Sequence, residues 1–201
     1  MESTGLSCCW LGASLPPRIC LASASPRRLT LLRQVGIDPM VHPTDMDESR
    51  RPGESVREYV KRMAIGKARL GPACGADVII GADTIVVLDQ EVLGKPAHAD
   101  EARQMLARIA GRAHDVLTAV ALYQPATRRS LHRVVKSRVW IKPLTPEEIA
   151  AYVATGEPLD KAGSYGIQGM GAALVTRLEG SCSGVAGLPL WETLGLLREF
   201  T

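Results

Sequence analysis

The sequence predicts a mixed α/β fold, on three observations. A long apolar run, DVIIGADTIVVLD from Asp77 to Asp89, is too hydrophobic for a sheet edge and reads as a central strand. Two more β-rich runs, HDVLTAVALYQ and SLHRVVKSRVWIKP, flank a PATR turn and read as a long antiparallel pair. Between the β-rich runs, apolar residues recur at helical spacing, twice behind a Ser/Thr-x-x-Glu capping box. Helices mixed with hairpins favour an α/β or α+β arrangement over a strictly doubly wound sheet.

The elements follow in chain order. Residues 1–17, MESTGLSCCWLGASLPP, lack the basic start of a signal peptide and end in Pro16-Pro17. They read as a disordered extension carrying no chemistry, with one domain over residues 18–201. RICLASA is a short buried strand. Ser25 is placed to cap the next helix, Pro26 suits its first position, and Leu29, Leu32 and Val35 form an apolar face that ends at Gly36. An extended piece near Met40 to Pro43 precedes the Ser55/Glu58 capping box, which opens a helix with Val56, Tyr59, Val60, Met63 and Ala64 inward. Asp89-Gln90 turns the central strand back into EVLGKP as a hairpin. ADEARQMLARIAG is a helix burying Met105, Leu106 and Ile109 and stopping at Gly111. Thr145 and Glu148 form the second capping box, opening EEIAAYVATG. GAALVTRLEG reads as a strand and LPLWETLGLLREF as a closing helix. No repeat or linker of domain-boundary length interrupts this order.

Bulk composition narrows the function. At 201 residues, 46% hydrophobic and 22% charged, the chain can build the core of one globular domain. A net charge of +3 with a single Phe offers neither the basic stripe nor the stacking residues of a nucleic-acid binder, so a small anionic ligand fits better. Asp83 interrupts the most apolar run, which therefore does not qualify as a membrane span. Five scattered cysteines, Cys8, Cys9, Cys20, Cys74 and Cys182, contain no C-x-x-C pair and read as reduced thiols of a cytoplasmic protein.

Four stretches carry chemistry. In SASPRR, Arg27 and Arg28 sit on the first turn of a helix, where the backbone dipole is already positive. Free N–H groups and guanidinium forks there make a phosphate site, unless both arginines are solvated or bridge to carboxylates. In GADTIVV, Asp83 is a carboxylate within an apolar strand, costly unless paired, hydrogen-bonded or metal-bound. It is either a structural cap or a group that holds Mg²⁺ or takes a proton from water, with Glu48 as a second metal carboxylate. Lys67, Lys95 and Lys161, each near glycine or proline, either face solvent or join the arginines around a triphosphate. In EPLDKAGSYGIQGMGA, glycine density permits close backbone approach to a ligand, with Tyr165 and Gln168 as directional hydrogen-bonding groups, or else the segment is a linker. No Walker loop occurs, and the four histidines lack metal-ligand spacing.

LASASPRRLTLL, KRMAIGKA, GADTIVVLDQEVLGKP, GRAHDVLTAVAL, EIAAYVATGEPLDKAGSYGIQG and GSCSGVAGLPL occur in this order, and together they resemble the Maf-type nucleoside triphosphate pyrophosphatases from about residue 18 to the C-terminus. The resemblance implies an elongated fold akin to the inosine-triphosphatase-like pyrophosphatases, with two lobes around a cleft. It also implies hydrolysis of a nucleoside triphosphate to a monophosphate and pyrophosphate with Mg²⁺ or Mn²⁺, and a homodimer. Asp83 matches the family's proton acceptor. Ser25, Arg27, Arg28, Lys67 and Lys95 match phosphate contacts, and Glu48 matches an acidic residue near the metal. Arg27, Thr84 and Gln168 match positions tied to substrate choice, and GADT with SYGIQG resembles the dTTP- and UTP-hydrolysing branch. Cys182 and Gly184 depart from the family's pattern, standing where an aromatic and an amide side chain are usual, which puts wall packing and base preference in question. The rival reading is a non-catalytic nucleotide-binding regulator of septum formation, after the family's older designation.

Overall fold

The computed structural model describes residues 15–16, 18–71 and 75–200. The expected extension lies outside the described residues except for Leu15 and Pro16, as do Cys8, Cys9 and Cys74; Leu15 packs against the first apolar cluster below. The chain runs β1 (Ile19–Leu21), α1 (Pro26–Gln34), β2 (Met40–Val41), α2 (Val56–Leu70), β3 (Val78–Leu88), β4 (Glu91–Leu93), α3 (Ala99–Ile109), β5 (Ala113–Gln124), β6 (Arg129–Ile141) and α4 (Pro146–Ala154). Three 3₁₀ segments follow, Glu157–Asp160, Ala162–Ser164 and Met170–Leu174. The chain closes with β7 (Val175–Glu179), α5 (Cys182–Ala186) and α6 (Leu190–Arg198).

Local chemistry sets most of these boundaries. Ser55 and Thr145 each accept a hydrogen bond from the backbone N–H three residues on, and Glu58 and Glu148 reciprocate. Each such cap contributes about 1 kcal/mol. Asp89 and Gln90 both take positive φ, 50° and 69°, the twist that a two-residue hairpin turn requires. Gly36 and Gly111 end their helices in the same left-handed region.

Three expectations are corrected. Ser25 occupies the N-cap of α1, but its side chain makes no capping bond. The apolar face of that helix is centred on Leu31 and Leu32, because Leu29 is only half-buried. In GAALVTRLEG the strand begins at Val175, and the GAAL part forms a 3₁₀ turn. The short helix α5 was not anticipated, since five residues are too few to show a period.

Seven strands among the described residues form one mixed sheet in the order β2-β1-β3-β5-β6-β7, with β4 also on β3. β1 runs parallel to β2 and β3, and every other pairing is antiparallel. This is the expected mixed α/β class. Successive residues of a strand face opposite sides, and β3 uses this to serve four apolar clusters, the smallest through Ile79 with Cys20, Ala22 and Ala76. Val78, Ile80 and Ala82 face the cluster built with α1 and α6. Further along the same face, Val86 and Leu88 face a second cluster with α3 and α4. Ile85 and Val87 face α2 through Val60, Ala64 and Ala68.

Two consequences position a site. Thr84, paired across the sheet with Thr118, falls between the two clusters of the first face, so the apolar packing parts there into two lobes. The free edge of β3 also has a gap. β1 pairs with residues up to Ile80, and β4 pairs only from Val86 onward. Asp83 and Thr84 lie in that interval. Because α1 and α2 leave β1 and β2 toward opposite faces of the sheet, the gap opens beside the carboxyl end of β1, where crevices form in such sheets.

The close seating of α2 depends on Gly81. A Cβ there would collide with the Ala64 carbonyl and the Ala68 amide of the helix backbone, neither of which can move alone. Gly81→Ala should therefore lower stability by about 3 kcal/mol, as overpacking does. Urea unfolding reads this directly, and an unchanged midpoint would contradict the packing described.

Candidate active site

The gap leads into a cleft of about 640 Å³ that adjoins a recess of about 300 Å³. All ten residues expected at the site, Ser25, Arg27, Arg28, Glu48, Lys67, Asp83, Thr84, Lys95, Lys161 and Gln168, line the cleft. They come from six separate parts of the chain, which the crossovers around β1 and the folding of the C-terminal loop bring together. The recess shares Ser25, Arg27, Arg28, Glu48, Lys67 and Lys95 with it.

At the centre, the Lys67 ammonium donates to Asp83 Oδ1 at 2.7 Å and stands 2.7 Å from Glu48 Oε1. Lys67 and Asp83 side chains are each 11% exposed, so this pair is buried, whereas Glu48 reaches in from solvent. Two carboxylates share one ammonium. Burial pushes the Asp83 carboxyl above its ordinary range; Lys67 and Arg28 pull it back, and the Glu48 charge adds to the upward push. Desolvation wins because the strand around Asp83 is apolar on both sides.

Three of the remaining cations, Arg28, Arg27 and Lys161, are held by their own partners. Arg28 donates through Nε to the Gly187 carbonyl at 2.9 Å and through Nη1 to Ser23 Oγ at 2.9 Å, which fixes its fork beside the start of α1. Arg27 donates to Asp160 Oδ2 at 2.7 Å, and Lys161 to the other oxygen at 2.6 Å. The carboxylate-bridging alternative for Arg27 is thus present, without excluding an anion. Asp160 is 61% exposed, and such a pair is worth at most about 1 kcal/mol, so a phosphate can displace it. Lys95 is exposed and, among the described residues, has no ion pair. The Ser25 hydroxyl, at the cleft wall, makes no capping bond and has no hydrogen-bond partner among the described residues.

The far wall is polar in another way. Thr84 Oγ1 lies 3.0 Å from the Thr118 hydroxyl and 3.4 Å from the Gly187 carbonyl, while Thr118 also donates to the Gly184 carbonyl at 2.7 Å. Gln168 is exposed, and its amide has no hydrogen-bond partner among the described residues. Tyr165 is corrected: its hydroxyl is 2.8 Å from His114 Nε2 inside the second cluster, so it supplies a ring to the cleft rather than a directional contact. Burial holds His114 down to about 4, leaving it neutral at pH 7. Cys182 and Gly184 do not line the cleft. Gly184 acts through its carbonyl on Thr118, and a Cβ there would press on Ser181 at 3.0 Å.

Sequence reasoning missed Ser23, Asp160, Glu157 and Tyr59, which donates to the Glu48 carbonyl at 2.8 Å. Tyr59 counts as core by its helical spacing, and nothing local distinguishes it. Asp160 sits next to Lys161 in LDKAG, but its Arg27 partner is 133 residues away.

A divalent cation fits the donor set. Among the described residues no group of three or more His, Cys, Asp or Glu is arranged to hold one, but Glu48 and Asp83 already share a single cation, the Lys67 ammonium. Two hard carboxylates completed by phosphate oxygens are the usual company of Mg²⁺. No helix among the described residues is long and apolar enough to cross a membrane.

The Maf-like protein family model matches residues 18–200. A dTTP/UTP pyrophosphatase of Anaeromyxobacter sp. (strain Fw109-5) is 53% identical over 184 residues, covering 90% of this chain and 88% of that protein. The dTTP/UTP pyrophosphatase of Escherichia coli O157:H7 is 50% identical, covering 90% and 91%, and that of Vibrio parahaemolyticus is 47% identical, covering 90% and 95%. A solved nucleoside-triphosphatase / dITP/XTP pyrophosphatase from Mycobacterium abscessus overlaps 69% of this chain and 95% of that one, at 18% identity and a TM-score of 0.39, a likeness too slight to carry an argument.

The central pair has a stability signature. Because the Asp83 carboxyl lies above its ordinary 3.8 when folded, the folded chain keeps a proton that the unfolded chain has released. Its contribution to stability is full below about 3.8 and is lost as pH rises through the folded value. Lys67→Met removes the cation that limits this loss. It should cost about 3 kcal/mol at pH 7 and much less near pH 4, where Asp83 can protonate. Unfolding curves against the wild type at both values check it; an equal cost at both would contradict the burial of an ionised Asp83.

Proposed function

The chain belongs to the Maf family, and on that premise we propose that it hydrolyses dTTP and UTP to the nucleoside monophosphate and pyrophosphate. The observation that supports this reading is that five cationic side chains and one buried carboxylate, itself paired with Lys67, line a single cleft large enough for a nucleotide. Such a site matches a substrate with a polyanionic end and a neutral one.

The roles follow from placement. The triphosphate replaces Asp160 as the partner of Arg27 and Lys161, and it binds Lys95, the Ser25 hydroxyl and the free N–H groups at the start of α1. Arg28, clamped by Gly187 and Ser23, presents its remaining N–H groups without reorganising. Asp83 takes a proton from a water whose oxygen forms a bond to the α-phosphorus as the bond to the bridging oxygen breaks. The electron pair leaves with pyrophosphate, and Lys67 offsets the charge gathered around Asp83. A raised carboxyl affinity for protons makes Asp83 a better base than a surface aspartate. Glu48 and Asp83 would hold a Mg²⁺ or Mn²⁺ ion, which supplies charge neutralisation to the phosphates when bound. Thr84 and Gln168, which both line the cleft, read the pyrimidine edge, with Arg27 at the sugar-phosphate side.

Product analysis tests the reading. Incubation of dTTP with Mg²⁺ should yield dTMP and pyrophosphate in equal amounts. Release of orthophosphate, or binding without turnover, would overturn it. Asp83→Asn should fold, still bind nucleotide and lose about 10³-fold in kcat, the scale of a lost general base. Substantial retained activity would remove Asp83 from that role. In the wild type, kcat/KM should fall with decreasing pH along a limb lying above the ordinary carboxylate value, because Asp83 must be ionised to act and its carboxyl is raised. A limb at or below about 3.8 would contradict this.

A further inference from the structure

The segment from Gly166 to Gly171 carries Gln168 at the mouth of the cleft, and a single carboxylate organises it. Glu157 Oε1 accepts hydrogen bonds from the Tyr152 hydroxyl at 2.8 Å and the Gly171 N–H at 3.0 Å, while Oε2 accepts one from the Met170 N–H at 2.9 Å. The Tyr152 oxygen in turn accepts from the Gly166 N–H at 3.1 Å. The peptide groups of residues 166, 170 and 171 therefore all end on Glu157, directly or through one phenol. The Glu157 carbonyl also receives the Lys161 ammonium, at 2.7 Å.

The glycines of the segment are the other half of the arrangement. A Cβ on Gly169 would strike the Glu157 carboxylate, and one on Gly171 would strike the Tyr152 hydroxyl. One on Gly166 would meet Lys161 Cε at 2.6 Å and Glu157 Oε1 at 3.1 Å. At Gly169 and Gly166 a side chain would have to push the Glu157 carboxylate or Lys161 aside, and at Gly171 it would also meet the Gly166 backbone, so the glycines let the chain close around this carboxylate and its phenol without displacing them.

We propose that Glu157 is a positioning residue for nucleobase selection: by fixing the backbone on either side of Gln168 it sets where that amide meets the base. This deepens the reading of the cleft as a dTTP and UTP site and rests on it. Burial acts against the Glu157 charge, but its N–H and phenol donors and Lys161 keep it ionised, below the ordinary range. Charge and two-sided acceptance are both needed. Three donors face two oxygens, so an amide in place of the carboxylate would turn its NH₂ toward an N–H or O–H donor.

Glu157→Gln should raise KM for dTTP about tenfold with a much smaller change in kcat. It should also cut the ratio of kcat/KM for dTTP over dGTP about tenfold. A merely structural role would lower both nucleotides together and leave that ratio alone. Tyr152→Phe removes one of the three bonds to Glu157 and the acceptor for Gly166, and should move the same ratio in the same direction by a smaller factor. If Glu157→Gln fails to fold by circular dichroism, Tyr152→Phe decides alone. Variants that keep the wild-type ratio, or that lose only kcat, overturn the role of Glu157. A wild-type protein that cleaves dTTP and dGTP alike overturns the substrate reading itself, and this proposal with it.

Discussion

Asp83 is an anion on an interior strand of the sheet, and most of the site is a response to that fact. A carboxylate in this position is unfavourable by several kcal/mol unless a cation reaches it. Lys67 does so because α2 lies directly against β3, which in turn requires that residue 81 have no side chain. A glycine two residues before the aspartate, a lysine late on the neighbouring helix and an edge of β3 left open between β1 and β4 are parts of one solution. The result is a carboxylate paired well enough to keep the fold, yet desolvated enough to hold protons more tightly than usual.

The surroundings extend the same principle. In the absence of a ligand Lys67 is held by the buried Asp83 as well as by Glu48, whereas Arg27 and Lys161 are kept in place by the solvent-exposed Asp160. Exposed pairs of this kind are worth little, and a triphosphate offers charge-assisted contacts that are stronger. The site therefore has its donors ordered beforehand without holding them so tightly that substrate cannot claim them. On the opposite wall the organisation comes from hydrogen bonds to the backbone. Thr118 anchors the Gly184 carbonyl near Thr84, and the Glu157 network shapes the glycine loop. The two ends of the cleft are thus built by different physics, charge for the phosphates and backbone shape for the base.

What was legible in the sequence follows from distance along the chain. Both capping boxes, the Asp89-Gln90 turn and the helix stops at Gly36 and Gly111 involve neighbours, and all appear as read. Asp83 was conspicuous because it breaks an apolar pattern. Partnerships were not legible. Glu48 and Lys67, Arg27 and Asp160, and His114 and Tyr165 are linked only by the fold. Tyr165 was misread as a ligand contact for that reason, its hydroxyl being claimed by a histidine 51 residues away. GAAL was misread as strand because Gly171 is tied to Glu157 and cannot extend. Ser25 had the right residue type for a cap, but its hydroxyl makes no capping bond and lies at the cleft wall instead.

Burial, not the Lys67 ion pair, dominates the protonation of Asp83. The most direct test is the titration of its carboxyl carbon, followed by ¹³C chemical shift in the nucleotide-free protein from about pH 2 to about pH 8. A midpoint clearly above the ordinary 3.8 is expected. A midpoint at or below that value would mean that the ion pair prevails, and Asp83 would be no stronger a base than a carboxylate on the surface.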